Sequence, residues 1–314
     1  MRAIVTGGAG FIGSHLVDAL INENHEVIII DNLLTGKTEN INLKATFYNQ
    51  DLQNHEKIKE IFEKHKPEIV YHLAAQIDLR KSIKEPIEDA KINILSTINL
   101  LELSAKNNIK HFIFSSTGGA IYGDTKQIPT IETHKEQPSS PYGCSKLTIE
   151  KYLHSYSKVH NLKYTCLRYS NVYGPRQNAK GEAGVIAIFL NKLFNNQTPT
   201  IFGGIQTRDF VYVHDVVRAN LLALNDPTSN TYNISTSKQT DVIEIFSKIN
   251  KYFNNKFAPH YEGLKKGEQK ISCLSYEKIK KNLGWEPLTN IDEGLDKTYC
   301  WFLMQRQSTN PNSL

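Results

Sequence analysis

Tyr142 and Lys146 stand four residues apart in Tyr142-Gly143-Cys144-Ser145-Lys146, directly after Pro141. Residues i and i+4 share a helix face, so this spacing points a phenol and an ammonium into the same space. A free phenol titrates near about 10 and is a poor base at neutral pH. A neighbouring cation favours the phenolate, which makes Tyr142 a candidate general base. Taken alone, such a pair is more often a solvated helix face. A second candidate is the hydroxyl run Ser115-Ser116-Thr117, followed by Gly118-Gly119. A hydroxyl there can share a substrate proton with Tyr142, whereas without Tyr142 and Lys146 the run reads as a Ser/Thr turn. The third candidate is Thr6-Gly7-Gly8-Ala9-Gly10-Phe11-Ile12-Gly13. Glycines at 7, 10 and 13 allow a tight turn, close approach of a pyrophosphate, and close helix packing. The helix that follows offers free N–H groups and a positive dipole end to phosphates.

These residues need a scaffold, and the surrounding pattern supplies one. Ala3 to Thr6 reads as a strand and Phe11 to Ile21 as an amphipathic helix. Val27 to Ile30, Ile69 to His72 and His111 to Phe114 are further strand-like runs, with helix-period residues from Ile92 to Leu103. Continuous Val/Ile runs indicate strands buried on both faces, as in a parallel sheet. Their alternation with helices predicts an α/β fold, a doubly wound parallel sheet of the Rossmann type. Such folds bind ligands at the C-terminal ends of their strands, where the Ser115–Thr117 run falls. Asp31 ends the second strand, where a carboxylate accepts hydrogen bonds from ribose hydroxyls and repels a 2′-phosphate, which favours NAD over NADP. Asp51-Leu52, after a third short strand, could hold adenine, although on its own the pair reads as no more than a loop Asp.

After about Asn171, Pro175, Gly181, Gly184, Pro199 and Gly203-Gly204 punctuate shorter elements. The reading is an NAD-binding domain over residues 1–170 and a smaller, loop-rich lobe over 171–314, with an interleaved boundary because roughly 210–234 return to the first sheet. The chain has 314 residues, of which 39% are hydrophobic and 22% charged, as in ordinary globular proteins. No apolar run reaches the length of a membrane span, and the N-terminus enters a strand with no secretory leader expected. Four scattered cysteines (Cys144, Cys166, Cys273, Cys300) form neither a metal-ligand spacing nor a disulfide framework, which favours the reducing cytoplasm. A net charge of +5 suits an anionic small molecule, and no basic block is dense enough for nucleic acid.

Together these residues resemble the extended branch of the short-chain dehydrogenase/reductase family, specifically the UDP-glucose 4-epimerases and their relatives. The likeness covers nearly the whole chain. It is carried by Thr6 to His15 (TGGAGFIGSH), Asp31-Asn32, His72 to Gln76 (HLAAQ), Phe114 to Gly123 (FSSTGGAIYG), Ser140 to Lys146 (SPYGCSK), Leu167 to Gln177 (LRYSNVYGPRQ) and Gln206 to Asp215 (QTRDFVYVHD). The resemblance implies an isomerase with tightly bound NAD that acts on a UDP-sugar. It implies a catalytic triad of Thr117, Tyr142 and Lys146, with Ser116 the alternative if the glycine-rich turn shifts by one. Gly7, Gly10, Phe11, Ile12, Gly13, Asp31, Asn32, Asp51, Leu52, Leu73, Ala74, Ala75, Gln76, Asn93 and Tyr169 would meet NAD. Asn171 and Arg208 would hold the diphosphate, the arginine fork suiting phosphate oxygens, and Thr200, Ile201 and Phe202 would lie along the uracil. Where the family often has Arg-Pro-Gly, this chain reads Lys265-Lys266-Gly267-Glu268, so Lys265 would keep the charge and lose the fork. Ser272, or Cys273 by a shift of one, falls where some relatives have a bulky Tyr beside the sugar, and a small residue leaves room for a 2-acetamido group.

In the implied cycle, Tyr142 takes the proton of the sugar 4-hydroxyl as C4 is oxidised by NAD. The 4-keto sugar turns over while its UDP stays anchored, and reduction on the opposite face gives the 4-epimer. The resemblance also implies a homodimer through the helices at Asn93 to Leu103 and at Tyr142. Two neighbouring functions stay in view. Dehydratase relatives usually place Asp-Glu directly after the active-site Thr, where this chain has Gly118-Gly119, and a glycine cannot move a proton. A non-catalytic NAD-binding module shares the fold, although it would be expected to lose Thr117, Tyr142 and Lys146. UDP-glucose/galactose, the N-acetylated pair and a uronic acid are all open as substrates, as are galactose use and surface polysaccharide as pathways.

Overall fold

The computed structural model describes residues 1–179, 184–204, 206–263 and 269–309. Its centre is a seven-stranded sheet. The opening strand Arg2–Thr6 lies inside it, with Glu26–Asp31 and then Thr46–Asn49 on one side. On the other side follow Ile69–His72, His111–Thr117, Tyr164–Tyr169 and Asn230–Ile234. Every pairing is parallel, so the strand C-termini gather at one edge. Thr6 sits opposite Ile30 and His72, and Thr117 opposite Tyr169. The strand order reverses between Arg2–Thr6 and Ile69–His72, and the crevice outside such a reversal is where doubly wound sheets take ligands.

The continuous apolar runs have a physical reason. Successive strand side chains point to opposite faces, and both faces here are covered. Ala3, Val5, Val27 and Ile29 pack into one cluster with Leu16, Val17 and Leu20 of the helix Phe11–Asn22. Ile4, Ile28, Ile30 and Val70 pack into another with Ile58, Phe62, Leu100, Leu101, Ile149 and Leu153. The helix Val213–Ala223 joins the first cluster through Val216, Val217, Ala219 and Ala223, and Asn230–Ile234 closes the sheet edge beside Tyr164–Tyr169. The strand Phe210–Tyr212, in contrast, pairs with Asn171–Tyr173 in a small separate ribbon.

The later part of the chain builds its own core from Phe189, Leu190, Ile201, Phe210, Ile245, Phe246 and Ile249. The helices Val185–Phe194 and Val242–Lys251 carry much of it. Short strands attach to it: Thr200–Phe202 with His260–Glu262, and Thr207–Arg208 between Thr240–Asp241 and Ile271–Ser272. Among the described residues no helix is long and apolar enough to cross a membrane.

Candidate active site

A cavity of about 700 Å³ runs along the C-terminal edge of the sheet. One end is walled by the glycine turn. Gly7 holds φ +70°, and a β-carbon there would lie 2.8 Å from the Ala74 nitrogen. A β-carbon at Gly13 would run into the Gly7 carbonyl oxygen. Only hydrogen at both positions lets turn, helix and neighbouring strand close up, which leaves the N-terminus of Phe11–Asn22 facing the cavity. Asp31 is buried at the end of its strand; its carboxylate accepts from the Ala9 N–H at 3.0 Å and the Leu33 N–H at 2.8 Å. Asn32 donates to Asp51 at 2.8 Å, tying the second and third strand ends together.

At the other end the helix Pro141–His160 starts sharply. Pro141 occupies its first turn and the Ser140 hydroxyl caps it by accepting from the Gly143 N–H at 3.2 Å. This start aims Tyr142 and Lys146 into the cavity, which both line. The Lys146 ammonium donates to the Ser115 carbonyl at 2.9 Å, stands 4.7 Å from the Phe114 ring centre and lies 6.0 Å from that of Tyr142. Burial pulls Lys146 down to about 8, against the opposing pull of the Asp89 and Glu150 carboxylates. Burial also pushes the Tyr142 phenol upward, and Asp89 adds to the push. The expectation that Lys146 favours the phenolate is opposed in the protein alone by burial and by the Asp89 carboxylate, which both push the phenol up. A second cation in the cavity would bring the phenol down.

The cavity is lined by most of the residues expected to meet a dinucleotide: Gly7, Gly10, Phe11, Ile12, Gly13, Asp31, Asn32, Asp51, Leu52, Leu73, Ala74, Ala75, Gln76 and Tyr169. Asn93 stands behind this wall. It is buried, donates to the Gln76 carbonyl and accepts from the Gln76 N–H, both at 2.9 Å, so it shapes the wall from behind. Tyr169 bonds Ser115 at 3.0 Å and Asn220 on its far side. Ser116 reaches the cavity, yet its hydroxyl donates to Glu150 at 2.6 Å. Thr117 caps the short helix Gly118–Ile121, its Oγ1 accepting from the Ala120 N–H at 3.4 Å. That bond uses the oxygen lone pair and not the hydroxyl hydrogen.

The residues expected to hold the rest of a substrate sit on the second lobe, outside the lining of this cavity. Asn171 is exposed at the start of its strand. Arg208 lies opposite Ser272 in register, its guanidinium donating to the Thr207 carbonyl at 2.9 Å. Ser272 is buried, with its Oγ 3.7 Å from where a Gly119 β-carbon would be; Cys273, its alternative, is also buried and hydrogen-bonds Thr130 through its backbone carbonyl. Thr200 and Phe202 are half-buried, whereas the Ile201 side chain belongs to the lobe's core, so only its backbone can meet a ligand. Lys265 lies outside the described residues. The structure adds wall residues not singled out from the sequence: Thr35, Lys37 and Asn40 beside the glycine turn, Lys81, and Arg176, Gln177 and Asn178 from the second lobe. Asn40 donates to the Ala9 carbonyl at 3.1 Å, and the Lys37 N–H does so at 3.0 Å. The Gly36-Lys37 pair shortly after Asp31 was the available signal, since a glycine there lets the chain fold over the strand end.

Three solved structures with the same architecture are of UDP-sugar 4-epimerases. A UDP-glucose 4-epimerase from Thermotoga maritima, solved with UDP-glucose, is 48% identical, covers 98% of this chain and 100% of its own, and superposes with a TM-score of 0.96. A UDP-glucose 4-epimerase from Thermus thermophilus, solved with NAD, is 37% identical over 96% and 99% of the two chains, with a TM-score of 0.91. A UDP-N-acetylglucosamine 4-epimerase from Methanobrevibacter ruminantium, in complex with UDP-N-acetylmuramic acid, is 34% identical over 97% and 98%, with a TM-score of 0.92. Residues 3–235 match the family model that spans the glycine turn, the tyrosine helix and the sheet: the chain belongs to the NAD dependent epimerase/dehydratase family.

Proposed function

We propose that this chain is an NAD-dependent isomerase that inverts the 4-hydroxyl of a UDP-sugar. The observation that carries this reading is a single cavity with a dinucleotide cradle at one end and Tyr142 and Lys146 at the other. The cradle fits NAD: the turn has no room for a side chain at Gly7 or Gly13, and the strand-end Asp31 suits an unphosphorylated ribose. When bound, NAD supplies a reversible two-electron acceptor, so that C4 passes through a transient ketone. The chain's residues do the rest. Tyr142 takes and returns the 4-hydroxyl proton, Thr117 shares that proton through its hydroxyl, and Lys146 holds a positive charge beside them.

The sheet domain thus carries the chemistry and the second lobe holds the nucleotide. Arg208 and Asn171 anchor the diphosphate, and Thr200, Ile201 and Phe202 line the base. The small Ser272 beside Gly119 leaves room for a 2-acetamido group, so both plain and N-acetylated hexoses fit this reading, as both are represented among the relatives. The elimination reading is disfavoured by chemistry, because Gly118-Gly119 offer no acid where dehydratase relatives usually place one. We further infer a homodimer, with Leu95 and Val159 left 57% and 69% exposed in or beside the helices expected to pair, and a cytoplasmic setting that suits four free cysteines.

The test is incubation of the purified protein with UDP-glucose, UDP-N-acetylglucosamine and UDP-glucuronate in turn, without and then with added NAD, read by proton NMR. A 4-epimer from one of them supports the reading and names the sugar. A 6-deoxy-4-keto product, or NAD binding with no turnover of any of the three, overturns it.

A further inference from the structure

Asp89 belongs to the short helix Pro86–Ala90 and is 1% exposed. Its carboxylate receives three neutral donors: Gln76 Nε2 and Asn93 Nδ2, each at 3.0 Å on Oδ1, and the Ser145 hydroxyl at 2.6 Å on Oδ2. Ser145 lies between Tyr142 and Lys146 in sequence, and Gln76 lines the cavity. Three elements therefore meet on one buried charge: the cavity wall after Ile69–His72, the turn preceding Ser96–Lys106, and the helix that carries Tyr142.

We propose that Asp89 is a positioning residue for the reaction, bolting the tyrosine helix to the cavity wall and serving as the fixed negative charge beside Tyr142 and Lys146. This inference rests on Tyr142 acting as the base. A buried carboxylate with neutral donors keeps its field, because little solvent screens it. That field holds a proton on both neighbours: it pushes the phenol up and opposes the downward pull of burial on Lys146. Lys146 stays cationic near neutrality in consequence, and the phenol stays neutral until another cation enters the cavity. The other ionisable groups nearby include Glu150, which also acts on Lys146, the buried His72, which Lys146 helps to keep neutral, and Asp78 and Lys81 at the cavity wall; Glu88 and Lys91 pair with each other at 3.8 Å.

The experiment compares pH profiles of kcat/KM for the NAD-loaded parent, Asp89→Asn, Ser145→Ala and Tyr142→Phe. Asp89→Asn removes the charge and keeps an acceptor, and the profile is expected to move to lower pH by about one unit on both limbs. Ser145→Ala removes the bolt and keeps the charge, and its profile is expected to stay at the parental pH whatever its rate. An ultraviolet difference titration should show tyrosinate forming at lower pH in Asp89→Asn than in the parent, a gain missing from Asp89→Asn/Tyr142→Phe. Should Asp89→Asn not fold, Asp89→Ser carries the same test. A parental profile in the charge-removed variant, or an equal shift in Ser145→Ala, overturns the role of the Asp89 charge. Retained turnover in Tyr142→Phe overturns the base assignment instead, which keeps the two failures distinct.

Discussion

The chemistry of this chain rests on groups whose behaviour departs from what the free side chains do. A tyrosine in water is nearly inert as a base at neutral pH, and the pocket makes it more so until a cation joins it. Removing the phenol oxygen should therefore abolish the proton step. Tyr142→Phe is expected to lower kcat by about 10²–10⁴-fold while NAD still co-purifies with the protein; steady-state kinetics and the absorbance of released cofactor check both halves. Lys146 titrates at about 8. Its cationic form predominates below that value and is lost above it, so kcat is expected to fall as pH rises through about 8, read from a pH–rate profile. Lys146→Met should remove that limb.

At the scale of elements, what matters is how turns and helix starts are fixed. The sequence shows glycines at 7, 10 and 13, and the structure shows that a β-carbon at Gly7 or Gly13 would collide with neighbouring backbone. Gly13→Val is expected to force turn and helix apart and abolish NAD binding, measurable by fluorescence quenching with added NAD. Beneath the hydroxyl run, Arg168 donates to both Glu150 oxygens and to Tyr122, while Ser116 donates to the same Glu150. The Arg168 and Glu150 side chains are 3% and 5% exposed. Truncating Glu150 leaves Arg168 buried with the partly exposed Glu136, at 2.9 Å, as its remaining counter-charge, so Glu150→Ala should destabilise the protein by about 2–3 kcal/mol, below the cost of a fully unpaired buried charge, seen as a lower urea midpoint. This network braces the strand end carrying Ser116 against the helix carrying Tyr142 and Lys146.

At the scale of the molecule, the second lobe leans over the sheet edge. His15 bonds the Pro175 carbonyl at 2.9 Å, and Arg176 pairs with Asp18 at 2.8 Å. Burial draws His15 down to about 4, so it is neutral at physiological pH and this tether is not a charge pair. Because Arg176, Gln177 and Asn178 wall the same cavity as the glycine turn, a dinucleotide filling that cavity would contact both lobes. Saturating NAD at about 100 times its Kd should add about 2.7 kcal/mol of stability. A thermal melt of stripped against reloaded protein is expected to show one cooperative transition, shifted upward by the cofactor.

The sheet was legible from the sequence because burial on both faces leaves a direct trace in Val27 to Ile30 and its counterparts, and the glycine turn was legible because backbone contact permits only hydrogen at Gly7 and Gly13. The Tyr142–Lys146 pair could be read because i,i+4 spacing is a local property of a helix. Asp89, Glu150 and Arg168 gave no such signal: each is an ordinary charged residue until strands and helices far apart in sequence bring Ser145, Ser116 and Gln76 to it. The same holds for Asn93, which works from behind the wall, and for Phe210–Tyr212, whose short apolar run cannot state which sheet it joins. Local spacing marked the residues proposed to carry the chemistry and where the strands end. Only the tertiary structure decided which charges lie unscreened beside them, because desolvation and distance are properties of the packed whole.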